Sequence, residues 1–157
     1  MAARNDIKKV DKNLKKTLFK ITNAKQMKKL GMLTIGLIHD RTRNQGKGVT
    51  KPEGNRRKLK KVTQKYSEWR SKQPDLHPKA AKGTDSNLTF TGDMLDNMIV
   101  EKATKNGFKI GHSTEEDADK TVHQHAAGRK YLFLGKVEVK QLRDKYDEIV
   151  RGIVKKV

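Results

Sequence analysis

Residues 98–113, MIVEKATKNGFKIGHS, place Asn106-Gly107 between two runs of strand-forming residues. This dipeptide favours a tight type I′ turn, in which both central residues take positive φ. The pattern predicts that residues 99–104 and 108–112 pair as the two antiparallel strands of a hairpin. We expect this hairpin to be the sheet on which the helices of the fold pack.

Helices are predicted after the hairpin. Ser113 and Glu116 form a capping-box pattern for a helix over about 114–127 that ends at Gly128. Residues 131–134 are an apolar run that predicts a strand or a buried extended segment. A C-terminal helix follows, because apolar residues recur there at helical spacing. Its face, expected to pack on the hairpin, consists of Val139, Leu142, Tyr146, Ile149 and Ile153.

The N-terminal residues 1–38 predict an amphipathic helical segment, with apolar residues spaced by three and four. That stripe comprises Ile7, Val10, Leu14, Leu18 and Ile21. It blurs over residues 24–29 and resumes at Leu30, so one bent helix and two separate helices both fit. Further on, Thr63 is placed to cap a short helix over about 64–72, which we expect Tyr66 and Trp69 to dock.

Residues 40–62, DRTRNQGKGVTKPEGNRRKLKKV, form the segment that we call the basic segment. It has three Gly, one Pro and few sizeable apolar side chains, which predicts an extended loop that a partner orders. Carboxylate or phosphate partners are expected to contact its cations, with Arg41, Arg43, Arg56 and Arg57 as the main anchors. The nine candidate contacts are Arg41, Arg43, Lys47, Lys51, Arg56, Arg57, Lys58, Lys60 and Lys61.

Composition limits the classes of protein to which the chain can belong. Its 157 residues support a single domain, and 33% hydrophobic residues predict a thin core. The absence of Cys excludes disulfides and thiolate zinc sites. No apolar run is long enough for a membrane span or a signal-peptide core, so we expect no membrane association.

Positive charge is concentrated in the first half of the chain. Residues 1–80 contain 23 Lys and Arg against 6 Asp and Glu, whereas residues 81–157 contain 14 against 12. Such self-repulsion favours a partner of opposite charge, although a solvated basic face is an alternative. Counterion release on phosphates would give affinity without base recognition, and acidic protein surfaces would fit equally well.

Catalytic and metal-binding motifs are not evident. GKG at 46–48 lacks the spacing of a phosphate loop, and no GxSxG, HExxH or GxGxxG pattern occurs. His123 and His125 stand two positions apart on a predicted helix and therefore point away from one another. Asp93 and Asp96 fit helix capping and solvation better than acid–base chemistry. We predict no enzyme activity, no cofactor and no metal.

Five segments in order resemble a known family. SNLTFTGDMLDN at 86–97 resembles a Thr-Gly signature of tailed-phage virion morphogenesis and tail-completion (neck) proteins. Upstream, HDRTRNQGKG and LKKVTQKYSEWR resemble that family's arginine-and-glycine loop and a following helix. Downstream, FKIGHS and KTVHQHAAGRKYLFLG are similar to its Gly-containing strand and its His-Gln and Phe-Leu-Gly segment. The family's Tyr-Ala before His-Gln is replaced here by Lys120-Thr121-Val122, and the Gly behind it is displaced to position 128.

The resemblance implies a structural virion protein that joins the DNA-filled head to the tail. It further implies a homo-oligomeric ring around the DNA channel, with portal or adaptor and tail proteins as partners and non-specific contact with genomic DNA. The location would be the virion neck, and the host cytoplasm during assembly. Net charge alone motivates the alternative, a nucleic-acid-binding or packaging accessory protein without sequence preference.

The combined expectation is an α+β fold in one domain of residues 1–157. A small antiparallel sheet, the hairpin at about 98–113, is packed by a long N-terminal helix and a C-terminal helix, and long basic loops connect them. Residues 86–157 would hold the α+β core, and Thr91 would cap a short helix anchored by Met94, Leu95 and Met98.

Overall fold

The computed structural model describes residues 16, 17, 19 and 21–155. The α+β expectation is confirmed, because helices pack with two small antiparallel sheets. In chain order the elements are α1 (Ala24–His39), a π-helical turn (Asp40–Asn44), β1 (Lys47–Gly48), β2 (Arg57–Lys58), α2 (Gln64–Arg70), α3 (Asp93–Asp96), β3 (Met98–Thr104), β4 (Gly107–His112), α4 (Glu115–Ala126) and α5 (Lys136–Val154).

Helix α1 begins at a side-chain cap, which decides between one bent helix and two. Asn23 is extended and its side chain accepts the N–H of Gln26 at 3.0 Å. A new helix therefore starts at Ala24. Of the N-terminal apolar stripe, residues 7, 10, 14 and 18 lie outside the described residues.

Gly31 explains how α1 comes close to the hairpin. A Cβ atom at this position would lie 2.7 Å from Cγ2 of Val100 and 3.2 Å from a ring carbon of Phe108. Any larger residue would force the side chains of Val100 and Phe108 to shift. The helix thus packs directly on β3 and β4, as the sequence predicts for the N-terminal helix.

The hairpin is confirmed, but its turn differs from the expected one. Thr104 pairs with Gly107, so Lys105 and Asn106 form the two-residue loop, and neither Asn106 nor Gly107 has positive φ. The hydroxyl of Thr104 accepts the N–H of Asn106 at 3.2 Å and helps to close the turn. The type I′ assignment is therefore wrong. A bulge at Glu101 shifts the register between the two halves of the hairpin.

The core lies where the end of α1 meets α3 and the segment after α4. Its buried members are Ile38, Met94, Leu95, Met98 and Tyr131. Met94, Leu95 and Met98 thus anchor α3 as predicted. The cap of α3 is Gly92, with φ of 106°, rather than Thr91, whose hydroxyl instead bonds the Asp93 carboxylate at 2.7 Å.

Helix α5 has α1 as its main helical neighbour. The apolar face predicted to pack on the hairpin is only half-buried, at Leu142, Tyr146, Ile149 and Ile153. The expectation that this face packs on the hairpin is wrong, because α1 occupies the covering position. Helix α5 therefore carries an apolar stripe that the rest of the subunit covers only in part.

Two predicted caps are settled by the structure. Thr63 caps α2 by accepting the N–H of Tyr66 at 3.2 Å, as expected. The cap of α4 is Thr114, one residue later than the predicted Ser113. Gly128, with φ of 83°, follows the end of α4.

None of the helices among the described residues is long and apolar enough to span a membrane.

Candidate functional site

The basic segment is packed against the rest of the chain over most of its length. Val49 and Leu59 are buried. The N–H of Val49 donates to the carbonyl of Lys130 at 3.1 Å, and that of Glu53 donates to the carbonyl of Leu134 at 2.8 Å. The segment is largely loop, with one π-helical turn and two two-residue strands. The expectation that a partner orders it is wrong, because these apolar side chains and backbone bonds fix it on residues 130–135.

Arg41 lies at the centre of this packing and is fully buried. Its Nη1 donates to the carbonyl of Phe133 at 3.0 Å and to Oε1 of Glu138 at 3.1 Å, and its Nη2 donates to the carbonyl of Tyr131. Burial lowers the pKa of Arg41, and the Glu138 carboxylate opposes that shift. Both terminal nitrogens of the guanidinium are bonded within the chain, whereas its buried Nε has no partner among the described residues. Because Arg41 is fully buried, it is a structural residue and its assignment as a partner contact is wrong.

Glu138, in the first turn of α5, brings two arginines of the basic segment together. The Nε of Arg56 lies 2.9 Å from Oε1 of Glu138, the same oxygen that contacts Arg41. The other oxygen, Oε2, accepts the N–H of Gly135 at 3.0 Å. One buried carboxylate therefore pairs with two cations and also caps the helix that carries it.

Arg43 is tied to the short helix α3. Its Nη2 lies 2.8 Å from Oδ1 of Asp96 and 3.2 Å from the carbonyl of Gly92. Asn87 adds a second link, because its amide donates to the carbonyl of Arg43 at 2.8 Å. The charge of Arg43 is thus used inside the fold, and only a small part of its side chain is exposed.

The remaining candidates are the cations that a partner can reach. Lys51, Arg57, Lys58, Lys60 and Lys61 are exposed, and Lys47 is half-buried. None of these six forms an ion pair with another described residue. Arg129 fixes the end of the segment by donating to the carbonyls of Lys60 and Lys61 at 3.0 and 3.2 Å. The side chains of these reachable cations therefore project from an ordered backbone.

A buried polar cluster connects the hairpin, α4 and the segment that follows α4. Oγ1 of Thr121 lies 2.7 Å from Nε2 of His112 and 2.6 Å from the hydroxyl of Tyr131. Burial lowers the pKa of His112 and raises the pKa of Tyr131 to about 12. A neutral imidazole and a neutral phenol are thus favoured, which suits a structural network.

Asp117 extends the same cluster as an ionised carboxylate. Its Oδ2 accepts the amide of Asn97 at 2.6 Å and the hydroxyl of Thr114 at 2.8 Å, and Lys120 lies 3.2 Å from Oδ1. The bond from Asn97 is the main cause that lowers the pKa of Asp117. Every oxygen of this carboxylate has a partner within the chain.

The other residues singled out in the sequence do not assemble into a site. His123 is exposed, whereas His125 packs edge-on against Tyr131 with ring centroids 5.4 Å apart. Asp96 pairs with Arg43, and Asp93 accepts from Thr91. Over residues 21–155, no group of three or more His, Asp and Glu residues is arranged to hold a metal ion.

Sequence reasoning missed Glu138 and Asn87, which organise the segment from both sides. The Asn87 side chain accepts from Ala81 at 3.0 Å and donates to Lys79 and Arg43. Glu138 stands three residues after Gly135, the spacing of a capping box whose first residue lacks the usual hydroxyl. That spacing is the one local signal that would have identified Glu138.

Comparisons with protein-family models, with curated proteins and with solved structures found no match to this chain.

Proposed function

We propose that the chain is a structural virion protein of the phage neck or tail-completion type. In this proposal copies form a homo-oligomeric ring around the DNA channel and join the DNA-filled head to the tail. Portal or adaptor proteins and tail proteins are the neighbours, with non-specific contacts to genomic DNA. The protein acts without catalysis, in the virion neck after assembly in the host cytoplasm.

The observation that carries the proposal is the way in which the resembling segments meet. Arg41 of the arginine-and-glycine segment donates to the carbonyls of Tyr131 and Phe133 in the Phe-Leu-Gly segment. Arg43 of the same segment bonds Gly92 and Asp96 in the Thr-Gly segment. Three of the five segments are therefore in direct contact in the fold, which supports interpreting them as parts of one pattern.

The incompletely covered apolar surface favours an assembly of copies. Met32 on α1 is 61% exposed, and Val137 and Val154 on α5 are 47% and 53% exposed. The half-buried stripe of α5 adds to this surface. A ring neighbour would remove these side chains from water, and burial of apolar area is the usual driving force for such contacts.

The exposed cations of the basic segment are the proposed assembly contacts. Replacing Lys51, Arg57 and Lys58 by Gln should leave the thermal melt of the free subunit nearly unchanged, because exposed charges contribute little to stability. Particles assembled with this variant should contain unjoined heads and tails or should lose DNA. A matched variant, with Lys82, Lys102 and Lys105 changed to Gln, removes the same charge outside the segment and outside α1 and α5, and it should assemble normally.

The alternative, a nucleic-acid-binding or packaging accessory protein, rests on the net charge of +19. It predicts a protein that is absent from purified particles and binds unrelated duplexes with equal, salt-sensitive affinity. Mass spectrometry of purified particles separates the two proposals. Retention of the chain supports the joining role, and its loss on purification supports the accessory role.

A further inference from the structure

Helix α2 displays an aromatic surface to solvent. Trp69 is 49% exposed and Tyr66 is 39% exposed. The rings of Tyr66 and Trp69 have centroids 5.5 Å apart, and Trp69 stacks on Phe90 at 5.4 Å with an interplanar angle of 27°. Trp69 thus helps to dock α2 through Phe90, as expected, but about half of Trp69 and more than a third of Tyr66 remain exposed.

Ser67 and Arg70 share the docking of α2 with Trp69, and the Arg70 guanidinium lies over the Tyr66 ring at 5.9 Å, so Trp69 has the larger exposed ring surface. Ser67 and Arg70 are the buried residues of α2. Arg70 donates to the carbonyls of Ala81, Gly83 and Asp85 at 2.6, 2.8 and 3.3 Å. Because these bonds fix the helix, the aromatic rings are held in place before any partner arrives.

Lysines flank the rings along the chain. Lys65 precedes Trp69 by four residues within α2, which places it on the same face as the indole, and Lys72 lies in the turn that follows the helix. Both are exposed, and neither forms an ion pair with a described residue. The only acidic residue of the helix, Glu68, accepts the side chain of Gln64 at 2.8 Å. Lys61 extends the positive charge before the helix.

We propose that the surface formed by Lys61, Lys65, Tyr66, Trp69 and Lys72 binds single-stranded DNA. An unpaired base stacks on the exposed indole of Trp69, and backbone phosphates contact the lysines. Exposed aromatic rings within a basic surface are the usual means by which proteins hold unpaired strands without reading their sequence. The bases of duplex DNA are stacked on one another and leave no face for Trp69. The choice of DNA rather than RNA rests on the proposed function at the DNA channel, whereas the stacking surface itself does not.

Trp69 is the only tryptophan of the chain, so its fluorescence reports on this surface alone. Titration of the full chain with a short oligo(dT) at low salt should quench the fluorescence, and added salt should reverse the quenching. A duplex of mixed sequence at equal phosphate concentration should quench less. Oligo(rU) should bind no more tightly than oligo(dT).

Substitutions test which side chains of this surface contribute to the binding of oligo(dT). Trp69→Ala should weaken oligo(dT) binding, followed by anisotropy of a labelled strand, by roughly 5- to 150-fold. Trp69→Phe keeps a ring on Phe90 and should retain part of the affinity. The pair Lys65→Gln and Lys72→Gln removes charge without touching the core and should also weaken binding. The pair Lys102→Gln and Lys105→Gln on the hairpin is the control with the same loss of charge.

Several outcomes would overturn the proposal. Binding without a change in Trp69 fluorescence would exclude stacking, and equal affinities for the lysine pair and its control would exclude this surface. Tighter binding of duplex, or equal quenching by poly-glutamate, would show a general electrostatic or acidic-protein contact instead. Preference for oligo(rU) would overturn the choice of DNA. Each of these results is independent of whether purified particles contain the chain, so failure here and failure of the neck proposal are distinguishable.

Discussion

Arg41 shows how a residue that reads as a partner contact can be a structural one. Its guanidinium is enclosed and shares one carboxylate with Arg56. In a segment so rich in cations, the sequence does not reveal which arginine has a buried acid opposite it. The acid, Glu138, is 97 residues away along the chain.

Replacing Arg41 by Met should therefore destabilise the protein. It leaves the carbonyls of Tyr131 and Phe133 without a donor and removes a partner from a buried carboxylate, a kind of change that costs about 3–5 kcal/mol. Arg57→Gln, on the exposed strand β2, should change stability by less than about 0.5 kcal/mol. Chemical denaturation of both variants measures the difference, and equal midpoints would contradict the structural role of Arg41.

Gly92 and Gly107 form a second contrast at the level of single residues. Gly92 has φ of 106°, and a Cβ there would lie 3.0 Å from a ring carbon of His77, whereas Gly107 has open space around it and no positive φ. Gly92→Ala should thus cost at least about 1 kcal/mol of stability, and Gly107→Ala should be nearly neutral. Thermal melts of the two variants test this, and a larger loss at Gly107 would restore the tight turn predicted from the sequence.

Three half-buried histidines predict how stability depends on pH. Burial lowers the pKa values of His39, His112 and His125 from the ordinary 6.5, although Asp117 and Glu101 partly oppose this at His112. Below pH 6.5 the unfolded chain binds more protons than the folded chain. The stability contributed by the neutral imidazoles is thus fully present above pH 6.5. It is lost as the pH falls from 6.5 through the pKa values of these histidines in the folded protein.

Melting temperatures recorded from about pH 7.5 to about pH 5 should decrease accordingly. His112→Gln can keep a hydrogen bond to Thr121 and should flatten the decrease. The same change at the exposed His123 is the control and should leave the slope unaltered. A melting temperature that stays constant over this range would show that the folded protein accepts the protonated imidazoles without cost.

At the scale of the elements, local sequence signals succeeded where the structure depends on local bonds. The hairpin strands and the Thr63 cap of α2 follow from a few adjacent residues. The packing of one element on another depends on residues that are far apart in the sequence. The predictions of this packing were wrong for α5 and for the basic segment. The sequence offers nine cations in that segment, but only folding separates those enclosed by Glu138 and Asp96 from those left in water.

Helices α3 and α5 should respond differently to the loss of a leucine. Leu95 of α3 is fully buried, so Leu95→Ala should cost about 2–5 kcal/mol of unfolding free energy. Leu142 of α5 is half-buried, so Leu142→Ala should cost only about 1 kcal/mol in the free subunit. Denaturant melts of both variants provide the comparison. A cost at Leu142 equal to that at Leu95 would mean that α5 is part of the subunit core.

At the scale of the whole molecule, the fold combines an ordered basic surface with apolar faces that one copy leaves open. The exposed cations lie on a segment held by Glu138 and Arg129, and the open apolar side chains lie on α1 and α5. In the proposed function, the apolar faces contact neighbouring copies and the exposed cations contact an acidic or phosphate-bearing neighbour.

The most direct test of the central claim is a reconstruction of the neck in DNA-filled particles purified from cells that produce this chain. The account predicts a closed ring of copies at the head–tail junction, with the apolar faces of α1 and α5 between neighbours and with Lys51, Arg57 and Lys58 against the channel or an adjacent protein. Particles that lack the chain, or a neck built from other proteins while this chain remains in the soluble fraction, would contradict it.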